Sequence, residues 1–303
     1  MKPVKTALAS FGMSGRVFHA PLLHMNEGFI IHKILERTES KSRTGYPYAK
    51  IVRDFGELCH DDDIELIVVN TPDHTHYDLA KAGILAGKHI VVEKPFTLSY
   101  SEAIELSELA EKKSVMLSVF HNRRWDGDFL TVKKIIDGNI LGRVVELESH
   151  FDRYRNIIKD DTWKEDGSTG TGNLFNLGSH LIDQALVLFG KPEMITADIR
   201  TIRQGSTVDD SFELWMKYEH TKVILSSSLL VREPGPRFTV HGTEGSFLKW
   251  GLDPQEEALK NGEMPGGADW GMEKEEDWGL LSTSLEGSAV RGSFETLPGC
   301  YQE

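Results

Sequence analysis

Cysteine is nearly absent from this chain. Cys59 and Cys300 are the two cysteines among 303 residues, and neither belongs to a CxxC pair or a Cys/His cluster. A disulfide framework needs several paired cysteines, and a structural zinc site needs clustered ligands. We therefore predict two ordinary thiols and no zinc site.

The chain also lacks an excess of basic residues and any long apolar run. Its 47 acidic and 34 basic residues give a formal charge of −13, which disfavours nucleic acid and anionic membranes as partners. No apolar run approaches the roughly 20 residues that span a bilayer, and the N-terminus has no apolar signal-peptide region. We predict a cytoplasmic protein that binds neither nucleic acid nor membrane.

What is present is an ordinary globular composition over a length that suits two domains, 1–121 and 122–303. In the first domain, short apolar runs alternate with helical segments, which is typical of an α/β fold with a doubly wound parallel sheet. The predicted strands are 6–11, 29–35, 65–70, 89–92 and 115–119. Thr75 to Asp78 and Ser99 to Glu102 have the spacing of capping boxes, which predicts a helix start at each, and Gly87 is predicted to end the first of these helices.

The pattern changes past residue 124. Alternating runs follow one another, which favours an α+β domain with a largely antiparallel sheet. Residues 251–292 show no sustained periodicity and are predicted to form a long loop. The predicted helices are 129–137 and 173–189, and the predicted strands are 143–151, 195–203, 211–218, 222–231, 237–241 and 246–250.

A degenerate GxGxxG motif follows the first predicted strand. It reads Ser10-Phe-Gly12-Met-Ser14-Gly15, with serine in place of the first glycine. In a dinucleotide site, Gly12 lets the backbone approach a diphosphate and Gly15 lets the helix pack on the sheet. The alternative is an ordinary strand-turn-helix connection without a ligand.

The second predicted strand ends in Glu36-Arg37-Thr38, about 20 residues after the glycines, where a dinucleotide site reads the adenosine ribose. Glu36 favours NAD, whereas Arg37 and Thr38 favour the 2′-phosphate of NADP. We predict NADP, with NAD as the alternative. An exposed ion pair without a ligand is a third reading.

Glu93-Lys94-Pro95 follows the strand predicted at 89–92. A residue before proline is extended, so the Lys94 side chain leaves the sheet in a fixed direction at the edge where such sheets bind ligands. A solvated lysine at a strand end is the alternative. The sequence leaves the isomer of the Lys94-Pro95 bond open.

Asn176, His180 and Asp183 lie in the second predicted helix. At about 100° per residue they fall on one face, so Asp183 can fix the tautomer of His180 while His180 exchanges a proton with substrate. The alternative is a core histidine satisfied by Asp183. A metal site built from His74, His76 and Asp183 has unsuitable spacing, and we predict none.

The chain resembles the Gfo/Idh/MocA family of NAD(P)-dependent oxidoreductases in three features: the degenerate GxGxxG motif, Glu93-Lys94-Pro95 after a strand, and Asn176 four residues before His180. Four further stretches resemble its branch of NADP-dependent scyllo-inositol dehydrogenases: VFHAPLL at 17–23, VFHNRRWD at 119–126, GSHLIDQ at 178–184 and LPG at 297–299. The resemblance implies a Rossmann domain, a substrate domain whose open sheet forms homodimers or homotetramers, and sugars or cyclic polyols as substrates.

Carried over by position, the resemblance places Lys94 beside the nicotinamide and the reacting oxygen, and makes His180 the family histidine. Two departures follow. Asn176 stands where most relatives have aspartate, which leaves the proton transfer to His180 and Lys94. Relatives also continue past residue 303, so we expect the chain to be truncated and its activity to be in doubt.

The predicted mechanism is oxidation of a secondary alcohol, with the hydride passing to the nicotinamide, the proton leaving to His180 and Lys94 stabilising the alkoxide. A cofactor sensor without catalysis and an NAD-dependent glycosidase are the rival functions. The predicted cofactor contacts are Ser10, Gly12, Ser14, Gly15, Glu36, Arg37, Thr38, Asn70, Thr71, Pro72, His76, Glu93, Lys94 and Asn122. The predicted substrate contacts are Lys94, Tyr154, Trp163, Asn176, His180 and Asp183.

Overall fold

A computed structural model describes residues 2–158, 165, 167, 170–285 and 288–302. The chain divides into two compact units. The first comprises residues 2–121 with 256–268 and 302, and the second comprises 122–255 with 269–301. Among the described residues, no helix has both the length and the apolar composition needed to cross a membrane.

The first unit is built on a parallel sheet, six-stranded within the described part of the chain, in the order β3-β2-β1-β4-β5-β6. This is the strand order of a Rossmann fold, and it confirms the predicted doubly wound sheet. The strands are β1 (Val4–Leu8), β2 (Phe29–Leu35), β3 (Lys50–Val52), β4 (Leu66–Val69), β5 (His89–Glu93) and β6 (Leu117–Phe120). The helices are α1 (Ala20–Met25), α2 (Gly56–Cys59), α3 (His76–Leu85) and α4 (Tyr100–Lys113).

Local sequence signals set several of these boundaries. Ser99 and Glu102 form the predicted capping box at the start of α4. The capping box predicted at the start of α3 is wrong, because the Thr75 hydroxyl donates to Pro72 O instead of capping the helix. Gly87 has a φ of +77° just past the C-cap of α3, as predicted for a helix-terminating glycine.

The sequence did not reveal β3 or α2. Both are too short to show a period, with three and four residues. They matter for the site, because the chain that follows β3 packs beside the loop after β2.

The second unit contains a sheet that is eight-stranded within the described residues, in the order β14-β13-β12-β11-β7-β10-β9-β8. Its pairings are antiparallel except that β7 and β10 are parallel, which confirms a largely antiparallel sheet. The strands are β7 (Val144–His150), β8 (Met194–Arg200), β9 (Ser211–Lys217), β10 (Lys222–Ser228), β11 (Phe238–Gly242), β12 (Gly245–Lys249), β13 (Gly279–Leu285) and β14 (Ser288–Phe294). The helices of this unit are α5 (Gly127–Asp137) and α6 (Ser179–Phe189). A further helix, α7 (Gln255–Lys260), belongs to the first unit except for Gln255.

The prediction that 251–292 forms a loop is wrong. The segment contains α7, β13 and most of β14, and β13 pairs with β12 to extend the sheet. Glycine and serine interrupt the alternation of apolar and polar residues in these strands. The two-residue period that predicts a strand is therefore not visible in their sequence.

Helices α5 and α6 contribute to the apolar core of the second unit on one face of this sheet. Phe129, Leu181, Phe212 and Leu225 belong to that core. The residues that alternate with core residues along the strands lie on the opposite face. One row on that face follows the strand register and comprises Thr196, Trp215, Ile224, Glu148, Thr239, Leu248, Leu280 and Ser293. We call this row the outer-face row.

A buried polar cluster joins the start of α5 to residues near 300. Asp126 accepts hydrogen bonds from Tyr301 Oη at 2.5 Å and from Arg123 Nη1 at 3.1 Å. Asp253 accepts from Gly127 N at 2.7 Å. Burial raises the pKa of Asp126 well above its ordinary value and raises the pKa of Asp253 to about 6.

The variant Asp126→Asn should change how stability depends on pH. A carboxyl whose pKa is raised by folding holds its proton in the folded state and loses it on unfolding. The free energy of unfolding of the parent should therefore fall as pH rises above the ordinary aspartate value of about 4, by at most about 1.4 kcal/mol per pH unit for this group. Asn cannot ionise, so the variant should lose that part of the fall. Urea denaturation at several pH values from about 5 to about 8 measures it, and equal pH slopes for both proteins would contradict this assignment.

Candidate functional site

The turn after β1 is held by the side chain of Asn70, which follows β4. The Asn70 amide accepts from Ser10 N at 2.9 Å and donates to Ser10 O at 2.9 Å. A Cβ built at Gly15 would lie 2.5 Å from Ser10 O and 2.6 Å from Asn70 Nδ2, whereas one at Gly12 would meet Ser10 Oγ at 3.8 Å. Gly15 thus permits close packing, and Gly12 leaves the space that a diphosphate needs.

A cavity of about 720 Å³ opens in the first unit beside this turn, within the size range of ligand pockets. It lies along the carboxyl ends of β1, β2 and β4, where sheets of this kind bind their ligands. The cavity is lined by these predicted cofactor residues: Ser10, Gly12, Glu36, Arg37, Thr38, Thr71 and Pro72. Ser14, Gly15, Asn70, His76, Glu93 and Lys94, also predicted, lie outside its lining.

Glu36 uses its carboxylate to shape the loop after β2. Its side chain is buried and accepts from Lys41 N at 2.7 Å, from Ser42 N at 3.0 Å and from the Ser42 hydroxyl. These bonds begin the 3-10 helix Lys41–Thr44. Arg37 and Thr38 are exposed and line the cavity, so they face the space where the adenosine ribose would lie.

Arg53 supports the same loop and was missed by the sequence analysis. Its guanidinium donates to the main-chain oxygens of Glu36 and Glu39 and, at 3.0 Å, to Ser40 Oγ. It also lines the cavity. Arg53 follows β3, and a strand of three residues is too short to show a two-residue period. Nothing in the sequence therefore places Arg53 at a strand end.

Lys94 follows β5, and the side chain of the preceding Glu93 bonds its main-chain amide. Glu93 Oε1 lies 2.9 Å from His19 Nε2, and Glu93 Oε2 accepts from Lys94 N at 3.1 Å. Burial raises the pKa of Glu93, but the hydrogen bond from His19 and the charges of His19 and Lys94 outweigh it and leave the pKa below its ordinary value. The Lys94-Pro95 bond, which the sequence left open, is cis.

His76 joins the turns that follow β4 and β5. Its Nδ1 lies 2.8 Å from Pro95 O and its Nε2 lies 2.9 Å from Thr71 O, and the residue is 1 % exposed. Buried in this way, the ring shapes both turns. The direct cofactor contact predicted for His76 stays a prediction.

In the second unit, α6 carries His180 and Asp183. The predicted helix 173–189 is divided, because a π-helical segment, Leu174–Gly178, precedes α6. Asn176 lies in that segment, so an angle of 100° per residue does not describe its position relative to His180. The argument for a common face holds for His180 and Asp183 alone. π-helical turns are frequent at functional sites, and Gly15–His19 in the first unit is another.

Arg124 binds the Asp183 carboxylate through both oxygens, with Nε to Oδ2 at 2.7 Å and Nη2 to Oδ1 at 2.5 Å. This hydrogen-bonded pairing raises the pKa of Arg124. The next residue, Gln184, donates to Arg123 O at 2.7 Å. Two adjacent residues of α6 therefore hold the 3-10 helix Asn122–Trp125, and the orientation of His180 by Asp183 stays a prediction.

The remaining predicted residues are placed as follows. His180 and Asn122 are buried, and Asn176 is half-buried. Tyr154 is exposed, and the Arg232 guanidinium lies 4.1 Å from its ring centroid. Trp163 lies outside the described residues.

Family models match both parts of the chain. Residues 4–121 match the oxidoreductase family with an NAD-binding Rossmann fold, and residues 129–248 match the GFO/IDH/MocA C-terminal domain.

Individual relatives agree with these matches. The chain is 42% identical over 299 residues to the oxidoreductase YdgJ of Escherichia coli, covering 98% of this chain and 85% of that protein. It is 40% identical over 298 residues to scyllo-inositol 2-dehydrogenase (NADP(+)) IolW of Bacillus subtilis, covering 97% and 81%. A crystal structure of a putative oxidoreductase from Bacteroides fragilis superposes with a TM-score of 0.91 at 49% identity, covering 99% of this chain and 86% of that one.

The glycine turn, the cavity at the strand ends and these matches lead to one conclusion: the chain belongs to the Gfo/Idh/MocA family of NAD(P)-dependent oxidoreductases.

Proposed function

We propose that this protein transfers a hydride between NADP and a secondary alcohol of a sugar or an inositol-like cyclic polyol. The observation that carries the proposal is the position of Lys94 and the glycine turn at the carboxyl ends of the same parallel sheet. The similarity to an inositol dehydrogenase supports the substrate class.

In the proposed mechanism, the substrate hydroxyl donates its proton to His180 as the hydride leaves the carbon. Lys94 stabilises the negative charge that develops on the oxygen. Asn176 can hydrogen-bond a substrate hydroxyl but cannot take its proton at neutral pH. The bound nicotinamide supplies the hydride acceptor chemistry, and the protein contributes binding, orientation, the proton acceptor His180 and the positive charge of Lys94.

The use of Glu36 within its own loop supports NADP. In NAD sites an acidic residue at this point binds the ribose hydroxyls. Here the Glu36 carboxylate already accepts three hydrogen bonds from residues 41 and 42. Arg37 is exposed on the cavity lining, where a guanidinium suits the 2′-phosphate.

Replacing Arg37 by Ala should weaken NADP binding and leave NAD binding nearly unchanged. A charge-assisted hydrogen bond to phosphate contributes roughly 1.5–3 kcal/mol, which corresponds to a loss of roughly 10- to 150-fold in NADP affinity. Titration calorimetry with both cofactors measures the change. Arg43→Ala is the matched control, because Arg43 is exposed nearby and does not line the cavity. An equal loss for NAD and NADP in Arg37→Ala would contradict the proposed role.

Replacing Lys94 by Met should abolish hydride transfer while the cofactor still binds, because Met fills similar space without a charge. Absorbance of reduced nicotinamide across a panel of inositols, sugars and sugar acids measures turnover, and Lys112→Met on the surface of α4 is the control. Full turnover in Lys94→Met would contradict the mechanism. Cofactor binding by the parent without any turnover would favour a sensor, and cleavage of a nitrophenyl glycoside without net cofactor reduction would favour a glycosidase.

We further propose that the protein is a homodimer or homotetramer held through the sheet of the second unit. Trp215 lies in the outer-face row and is 52% exposed, with Ile224 beside it in the register. Tryptophan is enriched at protein interfaces, so an exposed Trp215 on an open sheet face is a suitable contact for a second copy.

Trp215→Glu should shift the protein toward monomers, because a desolvated carboxylate would face a second copy. Light scattering coupled to size-exclusion chromatography measures the mass. Trp250→Glu is the control, since Trp250 is also exposed but follows β12 and lies outside the outer-face row. If the parent is an oligomer and Trp215→Glu has the same mass, the interface does not include Trp215, and the proposal is contradicted.

A further inference from the structure

We propose that His19 is a positioning residue for Lys94 and acts through the Glu93 carboxylate. The inference rests on the proposed function for its meaning in catalysis. The contacts that carry it lie wholly within the first unit.

Glu93 is a bridge between His19 and the backbone of Lys94. One carboxylate oxygen contacts His19 Nε2 at 2.9 Å, and the other accepts from Lys94 N at 3.1 Å. The side chains of His19 and Glu93 are only 4% and 12% exposed. A carboxylate in such a place needs both partners, because a buried charge without hydrogen bonds is strongly unfavourable.

The ring of His19 is itself fixed. Its centroid lies 4.3 Å from that of Phe120, and Phe120 pairs with Glu93 in the register of β5 and β6. His19 closes the π-helical segment that begins at Gly15. The segment that leaves the glycine turn therefore also determines where Glu93 points.

The hydrogen bonds of Glu93 weaken the attraction between its carboxylate and the Lys94 ammonium. Glu93 precedes Lys94, so its carboxylate is a nearby anion for the Lys94 ammonium. While His19 binds one oxygen and the Lys94 amide binds the other, both oxygens of the carboxylate have a hydrogen-bond partner, and the carboxylate competes less for the ammonium. Without the His19 bond, the carboxylate would draw the flexible lysine side chain toward the strand.

The first test measures Lys94 directly and needs no substrate. The reagent is acetic anhydride, which acylates unprotonated amines, and mass spectrometry compares Lys94 with exposed Lys112 in the same protein. His19→Leu should lower the relative rate at Lys94 by about tenfold, because an amine held by a buried carboxylate is unprotonated less of the time. His19→Gln keeps an N–H donor for Glu93 and should restore most of the rate.

The matched control is His24→Leu. His24 lies five residues further along, on α1, and its ring bonds Tyr48 at 2.8 Å rather than Glu93. This variant should leave the relative rate at Lys94 unchanged. An unchanged rate in folded His19→Leu protein would overturn the proposal, as would the same drop in His24→Leu. A residue that only stabilises the fold would lower Tm without changing the rate at Lys94.

The second test uses the substrate that the polyol panel identifies. A misplaced lysine should lower kcat on the order of 10- to 100-fold in His19→Leu, with KM for NADP nearly unchanged and with partial recovery in His19→Gln. A rise in KM for NADP with kcat unchanged would overturn the positioning role. If the parent turns over no substrate, the proposed function fails, while the acylation rates still decide whether His19 positions Lys94.

Discussion

The close approach of the first helix to the sheet is the constraint on which the candidate cofactor site depends. At Gly15 any side chain would collide with Ser10 O and with the Asn70 amide. That amide in turn bonds both main-chain polar groups of Ser10. Because the turn is held tightly at these points, Gly12 can remain open toward the cavity. The serine that replaces the first glycine of the motif fits this role, since Ser10 Oγ donates to Asn70 O at 2.7 Å.

Two glutamates lie at the carboxyl ends of strands of this sheet, Glu36 after β2 and Glu93 at the end of β5, and both accept hydrogen bonds within the first unit. Glu36 accepts from the start of a 3-10 helix and leaves Arg37 at the cavity. Glu93 accepts from His19 and from the Lys94 amide. In each case a carboxylate that precedes a basic residue accepts hydrogen bonds from main-chain amides and from another side chain. The same arrangement explains why residue types alone gave opposing indications of cofactor preference at 36–38.

The sequence predicted those features that arise from local chemistry. The β-branched runs of β4 and β5 and the capping box at Ser99 depend on neighbours in the chain, and the structure confirms them. The features it did not predict depend on distant partners. The hydrogen bonds of Glu36 and the support from Arg53 need a loop and a three-residue strand that no period reveals. The π-helical segment at Asn176 is likewise set by packing rather than by spacing. The hairpin of β13 and β14 was hidden by its small and polar residues.

The most direct test of the central claim is a crystal structure of the protein with NADP bound. The account predicts the diphosphate against the Gly12 turn, the 2′-phosphate within hydrogen-bonding distance of Arg37, and the nicotinamide beside Lys94 with Glu93 still bound to His19. A cofactor that binds elsewhere, or a Lys94 side chain that folds back onto Glu93 in the complex, would contradict it.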